Sequence, residues 1–306
     1  MSRSYDFHTL DVFTDTIFGG NPLAVLVDAT GLNTEQMQHI TREFNLSETV
    51  FVFPPDDPAH ARRVRIFTPR RELPFAGHPT VGTAFLLAAT GMIPLTGANT
   101  KIVLEEGVGP VPITIRAENG VPVSAELTAA QAPEFRGEVP GTHELAQLLS
   151  LANSDVATGL LKAEAVSCGV PFVLVPLVSR DAVRRARLDR AVWERTLSGK
   201  WASEIFLFDA SAVSTGTPIR ARMFAPALGV GEDPATGSAG ACLAAYLAKQ
   251  AKSDDSALSW TVEQGFEMGR PSILSLSAEK NGGQIGAVRV AGKSVLVSQG
   301  RLRVDG

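Results

Sequence analysis

The chain states most of its content twice, and this duplication limits what it can fold into more than any other feature. "RIFTP" (Arg65 to Pro69) leads into "AGHPTVGTAFLLAATG", and "RMFAP" (Arg222 to Pro226) leads into "GEDPATGSAGACLAAYLA", with Pro69 and Pro226 standing 157 residues apart. Three more pairs keep the same order. "GGNPLAVLV" answers "CGVPFVLVP", with Pro22 against Pro171. "LSETVFVF" answers "ASEIFLFD", with Ser47-Glu48 against Ser203-Glu204. "LEEGVGPVPITI" answers "VEQGFEMGRPSIL", with Glu105 and Gly107 against Glu263 and Gly265. A spacing of about 155 residues is far longer than the roughly 20–50 of a solenoid repeat, so it predicts two similar domains. The Pro-, Gly- and polar-rich stretch Ala129 to Thr142 reads as the linker, giving halves of 1–130 and 131–306.

Within each half, short runs rich in Val, Ile and Phe (Val25–Val27, Val50–Phe53, Val64–Phe67, Ile102–Leu104, Ile113–Ile115) have the length and β-branching of strands. One apolar helix is expected per half, over Thr80–Ala89 and Ala239–Lys249. Both are apolar nearly all round, which calls for a helix enclosed on every side rather than one lying on a surface. The expected class is α+β: two pseudo-symmetric domains, each a curved, mostly antiparallel sheet wrapped round a central helix. Strands do not alternate regularly with helices, which argues against a doubly wound parallel sheet.

Composition removes several function classes. The net charge is −4 with both signs scattered, unlike the basic footprint of a nucleic-acid binder. The Arg-rich run Arg180 to Arg190 is broken by Asp181 and Asp189 and reads as a solvated helix face. Cys168 and Cys242 are too few and too isolated for a disulfide framework or zinc site. The five histidines show no metal-ligand spacing, and neither dinucleotide nor P-loop glycine patterns occur, so no metal and no cofactor are expected. No apolar run approaches the roughly 18 residues of a membrane helix. The start lacks the apolar segment of a secretory signal, so a cytoplasmic location is the default expectation.

Both central helices are expected to open alike, with Pro79 and Pro234 at the first helical position and His78 and Asp233 just before them. Asp233 suits an N-cap and His78 does not. The glycine-containing turns Thr80 to Thr83 and Ala235 to Ser238 would let a ligand approach the backbone, and the free N–H groups would favour an anion such as a carboxylate. Two such starts would form an anion-binding cleft between the domains. The plainer reading is a pair of caps and tight turns. Glu48 raises a separate question, because a carboxylate at the mouth of the apolar run Val50 to Phe53 is costly unless it is used or paired. A lone Glu at a strand entry is most often a solvated or ion-paired edge residue, and Glu204 repeats the feature.

The segments "GGNPLAVL", "LSETVFVF", "RIFTPRRELPFAGHPTVGTA" and "EDPATGSAGA" resemble the signature of the phenazine-biosynthesis PhzF family, over essentially the whole chain. The resemblance implies the diaminopimelate epimerase-like fold and a cofactor-independent isomerase that moves a proton on carbon of a small carboxylated metabolite. In PhzF the substrate is dihydro-3-hydroxyanthranilate and a glutamate carries the proton. That position is matched here by Glu48, and the resemblance is silent on Glu204. His78 and Asp233 match further catalytic positions and Ser238 a substrate-contacting one, with Gly237, Gly77, Asn21 and Ser47 in the same motifs. Burial at the strand entry would raise the Glu48 pKa toward the working pH. The resemblance also implies a homodimer and a C-terminal strand, near Ser294 to Val297, that crosses back to the first half. The paired cysteines of related racemases have no counterpart here. The alternative is a carboxylate-binding protein that keeps the cleft without catalysis; a structural role through dimerisation is less consistent with the intact motif set.

Overall fold

The two halves build the same sheet by the same sequence of pairings. Among residues 3–252 and 254–305, which the computed structural model describes, the chain gathers into two compact units. One contains the residues up to Ala130 together with those from Ala291 onward, and the other runs from Gln131 to Val290.

In the first unit Arg3–Val12 pairs antiparallel with Asn21–Leu26, which lies parallel to Glu48–Phe53. Glu48–Phe53 pairs antiparallel with Arg62–Phe67, whose first residues lie parallel to the end of Asn99–Glu106. Gly109–Glu118 and Val121–Thr128 continue the sheet antiparallel. The C-terminal strand Ser294–Val304 pairs antiparallel with Arg3–Val12 along its length, with a shift of register between Thr9 and Leu10.

In the second unit Glu164–Ser167 is antiparallel to Pro171–Leu177, which is parallel to Glu204–Asp209. Then come Ile219–Ala225, antiparallel; Ser256–Gln264, parallel; and Ser272–Asn281, antiparallel. The succession of parallel and antiparallel pairings repeats that of the first unit from Arg3–Val12 to Gly109–Glu118. The linker stretch is less idle than its composition suggests. It contains the short strand Glu134–Phe135, which pairs with Val166 and Ser167.

Each unit encloses one helix, Gly77–Ala89 in the first and Gly237–Gln250 in the second. Every residue from Gly77 to Ala88 is buried, and in the second helix so is every residue from Ala239 to Ala248. The all-round apolar composition therefore has its expected cause: the sheet of each unit contacts its helix from several strands. Gly82 owes its place to this packing and not to a ligand. A Cβ there would lie 2.6 Å from Val12 Cγ2 and 2.8 Å from Leu23 Cδ2, so helix and strands meet at the missing side chain.

The duplicated arginines carry duplicated ion pairs. Arg65 grips Glu72 through Nε and Nη2, both at 2.6 Å, and Arg222 grips Glu232 through the same atoms at 2.7 and 2.8 Å. The second pair is buried, and Arg222 Nη1 also donates to the carbonyls of Val183 and Ala186 at 3.1 and 2.7 Å. Those bonds close the end of the helix Arg180–Arg185. The Arg-rich run is thus two short helices, Arg180–Arg185 and Arg190–Thr196, and not one face. Its exposed charges pair locally, with Asp181 accepting from Arg184 and Arg185 at 2.6 and 2.7 Å. No helix among the described residues is long and apolar enough to cross a membrane.

Candidate active site

The helix Thr34–Phe44 is closed in front by a capping box between Asn33 and Gln36 and ends on Asn45 in the left-handed conformation (φ 50°). That reversal lets Ser47 turn the chain and delivers Glu48 as the first residue of its strand. Parallel pairing sets Glu48 opposite Leu23, two residues into the strand that Asn21 begins. His78 enters from the central helix of the same unit, at that helix's second position.

These three side chains form a chain. Asn21 Nδ2 lies 3.2 Å from His78 Nδ1, and His78 Nε2 lies 3.4 Å from Glu48 Oε2. With the amide donating, Nδ1 accepts and the ring proton sits on Nε2, which lies near the Glu48 carboxyl without being hydrogen-bonded to it. His78 is only 4% exposed, and burial lowers its pKa to about 3, so the ring stays neutral at ordinary pH. The arrangement presents a carboxyl at a strand mouth beside an uncharged imidazole N–H. Such a pair can accept a proton from a carbon acid and return it.

Neutrality of the buried ring has a measurable cost in acid. An unfolded His takes up its proton near 6.5, whereas folded His78 does so only near 3. Between those values the unfolded state binds the extra proton, so stability falls as the pH drops from 6.5 toward 3. His78→Gln should flatten that dependence by about 1.4 kcal/mol per pH unit, the value of one proton. Urea unfolding of both proteins from pH 7.5 to 5 reads the difference in slope.

The second unit is registered differently from the sequence expectation. Its helix starts at Gly237, with Thr236 in the N-cap position, so Asp233 and Pro234 lie outside the helix. The first helix starts at Gly77 after Ala76, so His78 and Pro79 lie inside its first turn. Asp233 is therefore not an N-cap. It ends the short strand Val230–Asp233, and its Oδ2 accepts from the Thr236 hydroxyl at 2.5 Å. Counted from the helix starts, Ser238 and not Asp233 occupies the position of His78. The expectation failed because the repeat was aligned on the His-Pro and Asp-Pro dipeptides, which follow the chain rather than the helical turn. Neither N-cap residue caps its helix with a side chain. The first N–H groups of both helices thus lack that closure, the condition for receiving an anion.

The first unit holds Asn21, Ser47, Glu48, Gly77 and His78, and brings Asn21, His78 and Glu48 into contact. The second unit holds Asp233, Gly237 and Ser238 at one helix start. Glu204 begins a strand in parallel register with Phe172, repeating the register of Glu48, and is buried more deeply than it. Two residues that reach these helix starts escaped sequence reasoning: Glu106 and Gln264. Thr80 Oγ1 lies 2.5 Å from Glu106 Oε1. Gln264 accepts from the Thr236 N–H at 3.1 Å and donates to the Asp233 carbonyl at 2.8 Å. Their signal was in the repeat itself, where "EEG" answers "EQG" one position from the residues used for alignment.

The two cysteines are less isolated than their spacing implies. Both are buried in the second unit, and burial together with the neighbouring Cys168 thiol pushes the Cys242 thiol up. Cys242 therefore stays a protonated core thiol at ordinary pH.

Residues 10–300 match the family model described as phenazine biosynthesis-like protein (PhzC–PhzF). The chain is 41% identical over 296 residues to an uncharacterised isomerase of Mesorhizobium japonicum, covering 95% of this chain and 96% of the relative. It is 35% identical to the trans-2,3-dihydro-3-hydroxyanthranilate isomerase of Pseudomonas fluorescens, covering 97% and 99%. Among solved structures, the PhzF-family phenazine biosynthesis protein of Bacillus anthracis superposes with a TM-score of 0.85 at 26% identity, over 98% of this chain and 99% of that one.

Proposed function

Because the chain belongs to the phenazine biosynthesis-like PhzC–PhzF family and is an isomerase, we propose that it moves a proton between positions on carbon of a small carboxylated metabolite, with Glu48 as general acid and base. The observation that carries this reading is the contact of Asn21 with buried His78 and of His78 with the half-buried Glu48. His78 places its Nε2 3.4 Å from Glu48 Oε2 without a hydrogen bond between them, which leaves the carboxyl to act on the substrate. One carboxyl can both abstract and return the proton when the two carbons lie on the same side of it.

The uncapped helix start at Gly77 supplies N–H groups for the substrate carboxylate and for charge that develops as the proton leaves. Asn21, Ser47 and Gly77 shape the surroundings of Glu48 in the first unit, and Asp233 and Ser238, with Gly237, are the candidate substrate contacts of the second. The ring substrate of the Pseudomonas fluorescens relative, trans-2,3-dihydro-3-hydroxyanthranilate, has the required chemistry: a carboxylate and an acidic ring C–H. It heads the candidate substrates.

The test is an incubation of the protein in heavy water with that compound and with other small carboxylated metabolites, read by NMR. The expected result is an isomerised product carrying deuterium on the carbon that gains the proton. Turnover of a substrate with no transfer of hydrogen between carbons would refute the reading.

A further inference from the structure

Each strand that follows a central helix ends in a residue whose side chain reaches back to a threonine at that helix's start. In the second unit the strand Ser256–Gln264 ends in Gln264, fully buried, whose amide also donates to Thr236 Oγ1 at 3.0 Å. In the first unit the strand Asn99–Glu106 ends in Glu106, also buried, whose carboxyl meets Thr80. Glycine follows both, as Gly107 and Gly265. Equivalent places thus carry a neutral amide in one unit and a carboxyl in the other.

The hydrogen count bears on the state of that carboxyl. The Thr80 hydroxyl has one hydrogen but lies 2.7 Å from the Ala76 carbonyl and 2.5 Å from Glu106 Oε1. Thr80 can donate its hydrogen to either oxygen, and both contacts are full hydrogen bonds at once only when Glu106 carries a proton. Glu106 Oε2 is buried with no hydrogen-bond partner, a position that an ionised carboxylate occupies at high cost. The ionisable groups on the adjoining elements are engaged elsewhere. Glu105 accepts from the Asp56 and Asp57 N–H groups and from His60, Arg63 pairs with Asp56, Arg65 pairs with Glu72, and His78 faces Glu48. Burial accordingly pushes the Glu106 carboxyl up to about 8.

We propose that Glu106 is a positioning residue kept in its protonated form, whose bond to Thr80 fixes the helical turn that carries His78, as the neutral amide of Gln264 fixes the start beside Asp233. This rests on the reading of His78 as part of the working site. Glu106 itself need not touch substrate: Thr80 lies two residues beyond His78, so the brace acts through the first turn of the helix.

The experiment uses the full chain labelled with ¹³C-Glu and ¹⁵N-His, with Glu106→Gln and Glu106→Ala alongside wild type. At pH 7 the Glu106 carboxyl ¹³C signal, assigned by its loss in Glu106→Gln, should show the shift of a protonated acid. The His78 ring ¹⁵N signals, assigned with His78→Gln, should be unchanged in Glu106→Gln and displaced in Glu106→Ala. An ionised Glu106 signal at pH 7 overturns the proposal even if Glu106→Ala does not fold. So does a His78 displacement in Glu106→Gln as large as in Glu106→Ala, or none in either. If the signals respond as stated but His78→Gln keeps full turnover, the functional reading of His78 fails and the brace stands. If His78→Gln loses turnover and Glu106→Ala leaves the ring signals in place, only the brace fails.

Discussion

Glu48→Gln should lower turnover roughly 10²- to 10⁴-fold, the usual contribution of a general acid–base residue, while substrate still binds. The substitution keeps the shape of the side chain, so the strand entry and the contact toward His78 remain while the exchangeable carboxyl proton is lost. Glu204→Gln is the matched control. Glu204 has the same strand-entry position and the same preceding serine, and is the more buried of the two. What it lacks is the imidazole: Ser238 stands second in the helix of its unit, where His78 stands second in the helix of the first. Glu204→Gln should therefore leave turnover within a few-fold of wild type. Steady-state kinetics on both variants, with binding measured separately by calorimetry, reads the contrast. Equal losses in the two would mean that the strand-entry glutamates serve the fold and not the chemistry.

The largest expected effect on stability comes from a glycine next to the second helix start. Gly265 has φ +77°, and a Cβ there would lie 2.3 Å from the Arg270 carbonyl oxygen and 2.6 Å from that of Pro234. Gly265→Ala should cost about 1–2 kcal/mol for the left-handed backbone and about 1–3 kcal/mol more for forcing main-chain atoms apart. Gly269 separates the two causes. Its φ is +71°, but nothing lies within 4 Å of the Cβ position, so Gly269→Ala should show the backbone cost alone. Because the clash falls on Pro234, Gly265→Ala should also shift Asp233 and lower turnover at temperatures where the protein is still folded. Misplacement by about 1 Å can cost about 10²-fold. Urea melts of both variants, and kinetics well below the melting point, check the two effects.

Much of the fold was legible because it was written twice. The matched segments around Pro22 and Pro171, Glu48 and Glu204, and Arg65 and Arg222 each begin or form a strand, and they fall in the same pairing order in both units. The enclosed helices were legible from their lack of a polar face. Helix starts were harder to read. Proline at the first helical position is a preference, and here Pro79 sits third while Pro234 stays outside altogether. Asp233 had the right residue type for a cap, yet it accepts from Thr236 one turn early because Gln264 already holds the Thr236 N–H.

The site was legible unevenly for the same reason. Glu48 drew notice as a carboxylate entering an apolar run, but only the fold shows that His78 and Asn21 meet it, since those contacts join residues 30 and 57 positions apart. Glu106 and Gln264 passed unnoticed beside the glycines that marked the repeat. A charged and an uncharged residue at matched positions look like ordinary divergence until burial is seen to push the Glu106 carboxyl up to about 8.

The central claim is that the Glu48 carboxyl carries the proton between carbons. The most direct measurement is deuterium exchange from heavy water into bound substrate, followed by NMR for wild type and Glu48→Gln side by side. Wild type should introduce deuterium on carbon, and Glu48→Gln should bind the same substrate and introduce none above the uncatalysed rate. Exchange that persists in Glu48→Gln at the wild-type rate would place the proton carrier elsewhere and contradict the account.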